Sequence, residues 1–220
     1  MDDIRILPVP TRVLTDADDI VEEIAYYAGA KVTEDDLVCC AESVVAITQG
    51  RFVRPEELEI SRAALFACRF IPDYGSLASP HGMQALMDVE GTWRVMAALF
   101  LGFLAKLVGK SGIFYKWGGK EAALIDDVTG TMPPFDKVVV YGPAEPEAVA
   151  SRISERVGAF GAMIADVNDL KRSRVVGVSE GVDGELAAHL LLDNPFGNAS
   201  EKTPICIIKN YRQYQDTHKA

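Results

Sequence analysis

The chain has 220 residues, 49% of them apolar, and a formal net charge of −10. That much apolar material can fill a core, which excludes disorder as the default state, and the acidic balance excludes generic binding of nucleic acid by the chain as a whole. Any phosphate chemistry has to be local, through a metal ion or backbone donors. The four cysteines (Cys39, Cys40, Cys68 and Cys206) lie in apolar runs without CxxC spacing, so they read as reduced core residues of a cytoplasmic protein. The opening "MDDIRILPVP" has no charged leader followed by an apolar stretch, so no signal peptide is expected.

In chain order, residues 4–9 predict a short strand. "LTDADDIVEEIAYYAG" predicts a helix capped by Thr15 or Asp16, with Ile20, Val21, Ile24 and Tyr27 on one face and Gly29 at its end. "DDLVCCAESVVAITQGR" predicts a strand and a second apolar segment closed by Gly50, and in "RPEELEISRAALFACRF" Pro55 marks a helix start. Residues 72–90, rich in Gly, Pro and Ser, read as a long loop. Residues 92–108 predict an apolar helix. Its eleven uncharged residues, "VMAALFLGFLA" at 95–105, fall short of the ~20 needed to span a bilayer. A buried helix is therefore expected, with interfacial attachment as the alternative.

"GKSGIFYKWGGKEAALIDDVTGTMPP" reads as a Gly-studded strand and loop. Beyond it come strand "KVVVYGP", a helix from Pro146 to Gly158, strands "GAMIAD" and "RVVGVS", helix "GELAAHLLL" and strand "TPICIIK". The βαβ piece over 137–166 implies a locally parallel pair. Because the other elements do not alternate strictly, the fold class is α+β, or mixed α/β. With no repeat and no flexible linker, one domain over 1–220 is expected, with a sub-boundary near residue 90. The polar tail "NYRQYQDTHKA" is expected to fray.

Three apolar runs end in acid: "ALIDDVTG" at Asp126 and Asp127, "AMIADVND" at Asp166 and "HLLLDNPFG" at Asp193. Strand C-termini of a parallel sheet gather at one edge, where carboxylates can converge on a hard cation. Each acid taken alone reads better as a turn or helix cap; the three together bring the two readings level. "DNPFGNASEKTP" sets Asp193, Asn194, Asn198, Glu201 and Lys202 around two turn residues, as a candidate substrate loop or a polar surface loop. Gly197 would permit close backbone approach there, and Lys202 could meet a phosphate or carboxylate. "GGK" at 118–120 lacks the spacing of a P-loop. His81, His189 and His218 show no metal-binding spacing; His189 reads as structural, and His81 as an acid–base or substrate-contact candidate. GxSxG and a strand-borne GxGxxG are both missing, which disfavours serine-hydrolase and dinucleotide-dependent chemistry.

In this order the pieces resemble the gamma-glutamyl ligases of the deazaflavin coenzyme factor 420, the CofE family. "LPVP" and "DADDIVEEI" match the family's opening strand and helix start, and "VVAITQGR" at 44–51 its "VVSKAEGR"-like segment. "IDDVTG", "GPAEPEAVASRI" and "MIADVNDLKRS" follow in the family's order. The resemblance implies a CofE-like fold with a mixed sheet and packed helices, forming an interwoven homodimer. It also implies a ligase in which GTP or ATP activates a small carboxylic acid as an acyl phosphate that an amino-acid amine then attacks. Mg or Mn would be held by Asp126 and Asp166, with Asp127 as a substitute for the first. Leu7, Pro8, Val9, Pro10, Glu42, Ser43 and Thr129 fall where the family contacts nucleotide.

The sequence departs from that pattern at three places. Ile47 stands for the lysine of "VVSK", Thr129 for an asparagine, and "DVNDL" for Asp-Thr-x-Gly-Arg. Losing a lysine from a triphosphate site removes a fixed positive charge. Residues 111–134 and 193–204 have no counterpart role in the resemblance. Two readings follow: a nucleotide- and metal-dependent amide ligase acting on a small-molecule carboxylate and an amino acid, or a non-catalytic regulatory homodimer that keeps the ligase fold. A third reading, attachment to a membrane surface through residues 95–105, stands beside them.

Overall fold

The computed structural model describes residues 4–72, 75–126, 133–168, 171–197 and 201–218. The chain starts with β1 (Ile6–Val9), α1 (Ile20–Ala28), β2 (Leu37–Ala41) and α2 (Glu42–Thr48). Then come β3 (Phe52–Val53), α3 (Arg62–Ala67), α4 (Pro80–Glu90), α5 (Thr92–Leu107), α6 (Ile113–Trp117) and β4 (Val139–Val140). It closes with α7 (Pro146–Val157), β5 (Gly161–Asn168), β6 (Arg172–Val178), α8 (Gly184–Leu190), β7 (Ile205–Ile208) and α9 (Tyr211–His218). The fold is α+β, and the elements form two compact units: residues 1–50 with 143–220, and residues 51–142.

The first unit is a five-stranded mixed sheet in the order β1-β7-β2-β5-β6. Both of its faces are covered, which is why "LVCCA" and "AMIA" read as continuous apolar runs. Val38, Cys40, Ala162 and Ile164 face one layer, where Ile20 and Ile24 of α1 and Val149 and Ile153 of α7 pack. Leu37, Cys39 and Met163 face the other, with Ala187 of α8 and Tyr211 of α9. The alternation is the period of two of a strand.

α1 is capped by Asp19, whose Oδ1 accepts from the Val21 and Glu22 N–H groups at 2.8 and 3.3 Å. The expected caps, Thr15 and Asp16, lie outside the helix because Asp18 closes its own turn on Thr15 and binds Arg12. α7 follows expectation: Pro146 sits in its first turn and Gly158 ends it at φ 67°. Against the expected fraying, Tyr211–His218 of the tail form a helix. Tyr211 and Gln215 are buried, the Tyr211 hydroxyl donates to the Asp183 carbonyl, and Gln215 bonds the Asp183 N–H and the Gly181 carbonyl.

The second unit is largely helical. Ala64 and Ala67 of α3, Met83 and Leu86 of α4, and Val95 and Ala98 of α5 form its core. Three expectations fail here. Residues 80–90 form α4, since Ser79 caps it, Pro80 takes a position needing no N–H, and Met83, Ala85, Leu86 and Met87 are buried. Pro55 opens a single 3₁₀ turn only, and α3 starts later with Ser61 as its cap. Residues 111–126 hold α6 and a 3₁₀ turn where a strand was expected.

The pairing implied by 137–166 also differs. β4 pairs antiparallel with β3 in a separate two-stranded sheet, and the parallel partner of β5 is β2. The crossover between the parallel strands therefore runs from β2 through the second unit to α7. No helix among the described residues is long and apolar enough to cross a membrane. α5, expected to be buried, buries only Val95 and Ala98.

Candidate functional site

The strand directions bring several candidate residues to one edge of the first unit's sheet. β2 and β5 are parallel and both end there, at Ala41 and Asn168. β7 runs antiparallel to β1 and β2, so Val9 at the end of β1 lies opposite Ile205 at the start of β7. The 201–204 segment is fastened at this edge by two backbone bonds: the Thr11 N–H donates to the Lys202 carbonyl at 2.8 Å, and the Ala41 N–H to the Pro204 carbonyl at 2.9 Å. Val9 at the end of β1, Pro10 just after it, Glu42 and Ser43 at the start of α2, Asp166 near the end of β5, and Lys202 thus share one edge, while Leu7 and Pro8 lie further back in β1, paired with Ile207 and Cys206.

A charged cluster forms at its centre. Glu42 is buried, yet one of its oxygens lies 3.6 Å from the Arg174 guanidinium. The same guanidinium nitrogen donates to Asp166 Oδ2 at 3.2 Å. One arginine on β6 therefore balances two carboxylates from the ends of the two parallel strands. Asp166 pairs with Arg174, and a bulge follows one residue away: Ala165 pairs with Val175 but Ile164 with Gly177, so Val176 is the extra residue. Arg174 Nε is buried without a hydrogen-bond partner, which leaves this guanidinium with spare donor capacity.

The remaining candidates do not gather there. Asp126 belongs to the second unit, where it forms an isolated antiparallel bridge with Val140 by two backbone bonds of 2.9 Å. Asp127, Thr129 and Asn198 lie outside the described residues. Asp193 follows α8, not a strand; it is exposed and lies 3.5 Å from Lys171 Nζ. Asn194 takes a left-handed turn (φ 50°) and donates to the Gly197 carbonyl. Glu201 fills the space a side chain at Gly197 would need. Lys202 is exposed with φ 51°. His189 is exposed near the end of α8, not structural, His81 is half-buried in the first turn of α4, and His218 stacks on Tyr214.

Ile47 is buried within α2, so an apolar side chain takes the place of a charge. Arg174 is the residue the sequence reading missed. Its signal was the short gap between β5 and β6, because residues equidistant from such a turn face each other across the two strands. Among the described residues, no group of three or more His, Cys, Asp or Glu could hold a metal ion. Glu42 and Asp166 are the two carboxylates at this edge, and a divalent ion such as Mg²⁺, which commonly takes one or two carboxylates beside phosphate oxygens and water, could be held by them.

A family model described as F420-0:gamma-glutamyl ligase matches residues 8–210. No curated protein matches the chain. The matched span reaches from within β1 to the residue before α9, and so takes in the whole second unit and most of the first.

Proposed function

We propose, from the premise that this chain belongs to the F420-0:gamma-glutamyl ligase family, that it is a nucleotide-dependent ligase forming an amide between a small carboxylic acid and an amino acid. The terminal phosphoryl group of ATP or GTP passes to the acid's carboxylate, giving an acyl phosphate. The amino-acid nitrogen attacks its carbonyl carbon, the C–O bond to phosphate breaks, and the amine proton is lost as the amide forms. The observation that carries this reading is the shared sheet edge, on which Val9, Pro10, Glu42, Ser43 and Asp166 lie together inside the matched span.

In this reading Glu42 and Asp166 would hold a Mg or Mn ion, and Asp126 and Asp127 remain sequence-based candidates for the same role. The ion would neutralise charge on the phosphates. Arg174 supplies at the same edge the fixed positive charge that Ile47 does not. Its planar guanidinium fits a phosphate or carboxylate through two donors at once. Pro8 and Pro10 add rigidity beside the nucleotide, since proline fixes its own φ.

The test is phosphate release from ATP and GTP with glutamate and a panel of small acids, with and without Mg or Mn. Release that needs all components, and that falls at least about a hundredfold in Asp166→Ala and Arg174→Met, supports the assignment. Absence of any metal-dependent thermal shift with nucleotide, together with unchanged ligand binding in Asp166→Ala, sinks it. The second reading, a regulatory protein on the same fold, is favoured by buried Ile47 at the lysine position. It predicts nucleotide binding without turnover.

A further inference from the structure

We propose that the α5–α6 hairpin of the second unit is a docking surface for an anionic lipid bilayer. Three observations point there. The first is exposure. Nine of the fourteen exposed large apolar side chains among the described residues lie between Trp93 and Trp117. Trp93, Phe100, Leu104 and Leu107 recur at helical spacing along α5 and face outward as one stripe, with Trp93 89% and Leu107 70% exposed. Isolated exposed apolar residues are ordinary, whereas a contiguous stripe of this kind marks an interaction site.

The second observation is how the two helices are joined. Gly102 of α5 lies against Phe114 of α6, where an added Cβ would come within 3.2 Å of that side chain. The Arg94 guanidinium donates to the Trp117 carbonyl at 3.3 Å, so α6 folds back towards the start of α5. Trp117 of α6 is thereby brought to the same end of the hairpin as Trp93. Aromatic side chains of this type favour the boundary between lipid headgroups and acyl chains.

Charge selects the partner. Residues 91–120 contain Arg94, Lys106, Lys110, Lys116 and Lys120 and no acidic residue, in a chain whose net charge is −10. All five bases are exposed. Arg94 pairs with Glu90, while none of the four lysines lies within ion-pair reach of a carboxylate among the described residues. Apolar side chains bordered by unpaired lysines match an anionic headgroup layer. The acidic remainder of the chain is repelled by the same layer, which orients the hairpin towards it. α5 is too short to cross, so it lies in the interface.

The full chain should be sedimented with vesicles of phosphatidylcholine alone and of about three parts phosphatidylcholine to one of phosphatidylglycerol. Both tryptophans of the protein lie in the hairpin, so its intrinsic emission reports on this surface alone. Expected are sedimentation with the anionic vesicles only and a blue shift of the emission. Binding should weaken at least about tenfold in roughly 0.5 M salt and in the Lys110→Glu/Lys116→Glu variant. A Leu104→Ser/Leu107→Ser variant should lose the blue shift. Equal binding to both vesicle types, or none at low salt, overturns the proposal. So does a lipid-free dimer in analytical ultracentrifugation whose tryptophans resist quenching, which would assign the surface to a second copy.

Discussion

Asp36, at the turn into β2, is the most enclosed charge in the first unit, with a fully buried side chain. Its Oδ2 accepts from the Thr33 N–H at 2.7 Å and from Lys209 Nζ, and its Oδ1 accepts from the Asn210 N–H at 2.9 Å. It therefore ties the start of β2 to the end of β7. Asp36→Ala removes one acceptor from each of two backbone N–H groups, at about 1–3 kcal/mol each when they stay buried. Lys209 retains the Lys31 carbonyl at 2.9 Å and some solvent, so its own loss is smaller. The two N–H groups together give about 2–6 kcal/mol, a range centred on the ~3–5 kcal/mol that breaking a buried pair from one side usually costs, and the latter is the value expected here. For a chain of this size that lowers the melting temperature by roughly 6–20 °C.

The pH dependence fixes the cause. Burial works against charge on Asp36, but bonds from Lys209, Asn210 and Thr33 outweigh it and hold its carboxyl below the usual range. A depressed folded value means that the stabilisation is present above the unfolded carboxylate value of about 4 and is lost as pH falls through the folded value. Urea unfolding followed by circular dichroism at neutral pH and below pH 4 measures both. The gap between wild type and variant should be full at neutral pH and should shrink on acidification. A gap under about 1 kcal/mol at neutral pH, or one unchanged in acid, refutes the reasoning.

Three further outcomes are expected. Glu121→Gln should destabilise the second unit by about 1.5–3 kcal/mol, read by tryptophan emission, because its carboxylate bonds Arg51 and, at 2.8 Å, the Gly142 N–H, the unit's first and last residues. Gly177→Ala should cost about 1–3 kcal/mol, because an added Cβ would come within 2.5 Å of Pro146 at the start of α7. Cys40 should resist thiol reagents at pH 8 until the chain unfolds, since burial and the neighbouring Cys39 push its thiol up to about 12.

What the sequence disclosed follows the range of the forces involved. α7 was legible because its start and stop are written locally, in Pro146 and Gly158, around apolar residues at helical spacing. The acid at the end of β5 was legible for the same reason. α4 was hidden because Pro80 and Gly82 read as loop residues, although one begins the helix and the other leaves room for the Ser76 carbonyl, which an added Cβ would meet at 2.4 Å. α5 was found but placed wrongly, since an apolar helix announces what it avoids and not what covers it. The partner of β5 was beyond local reading altogether, because β2 is separated from it by more than a hundred residues and the whole second unit.

The charge at the site depends on register as much as on residue type. Next to the gap between β5 and β6 the pairs run symmetrically, Asn168 with Arg172, Val167 with Ser173 and Asp166 with Arg174, and one guanidinium joins the end of β5 to buried Glu42. The extra residue Val176 shifts only the pairs beyond Ala165, where Ile164 meets Gly177. Asp166 as a potential ligand for a cation and Arg174 as a potential partner for an anion are thus set by the same register. A strand-pairing detail of one residue decides whether this sheet edge presents a carboxylate alone or a carboxylate beside a fixed positive charge. A phosphate-handling site needs the second arrangement.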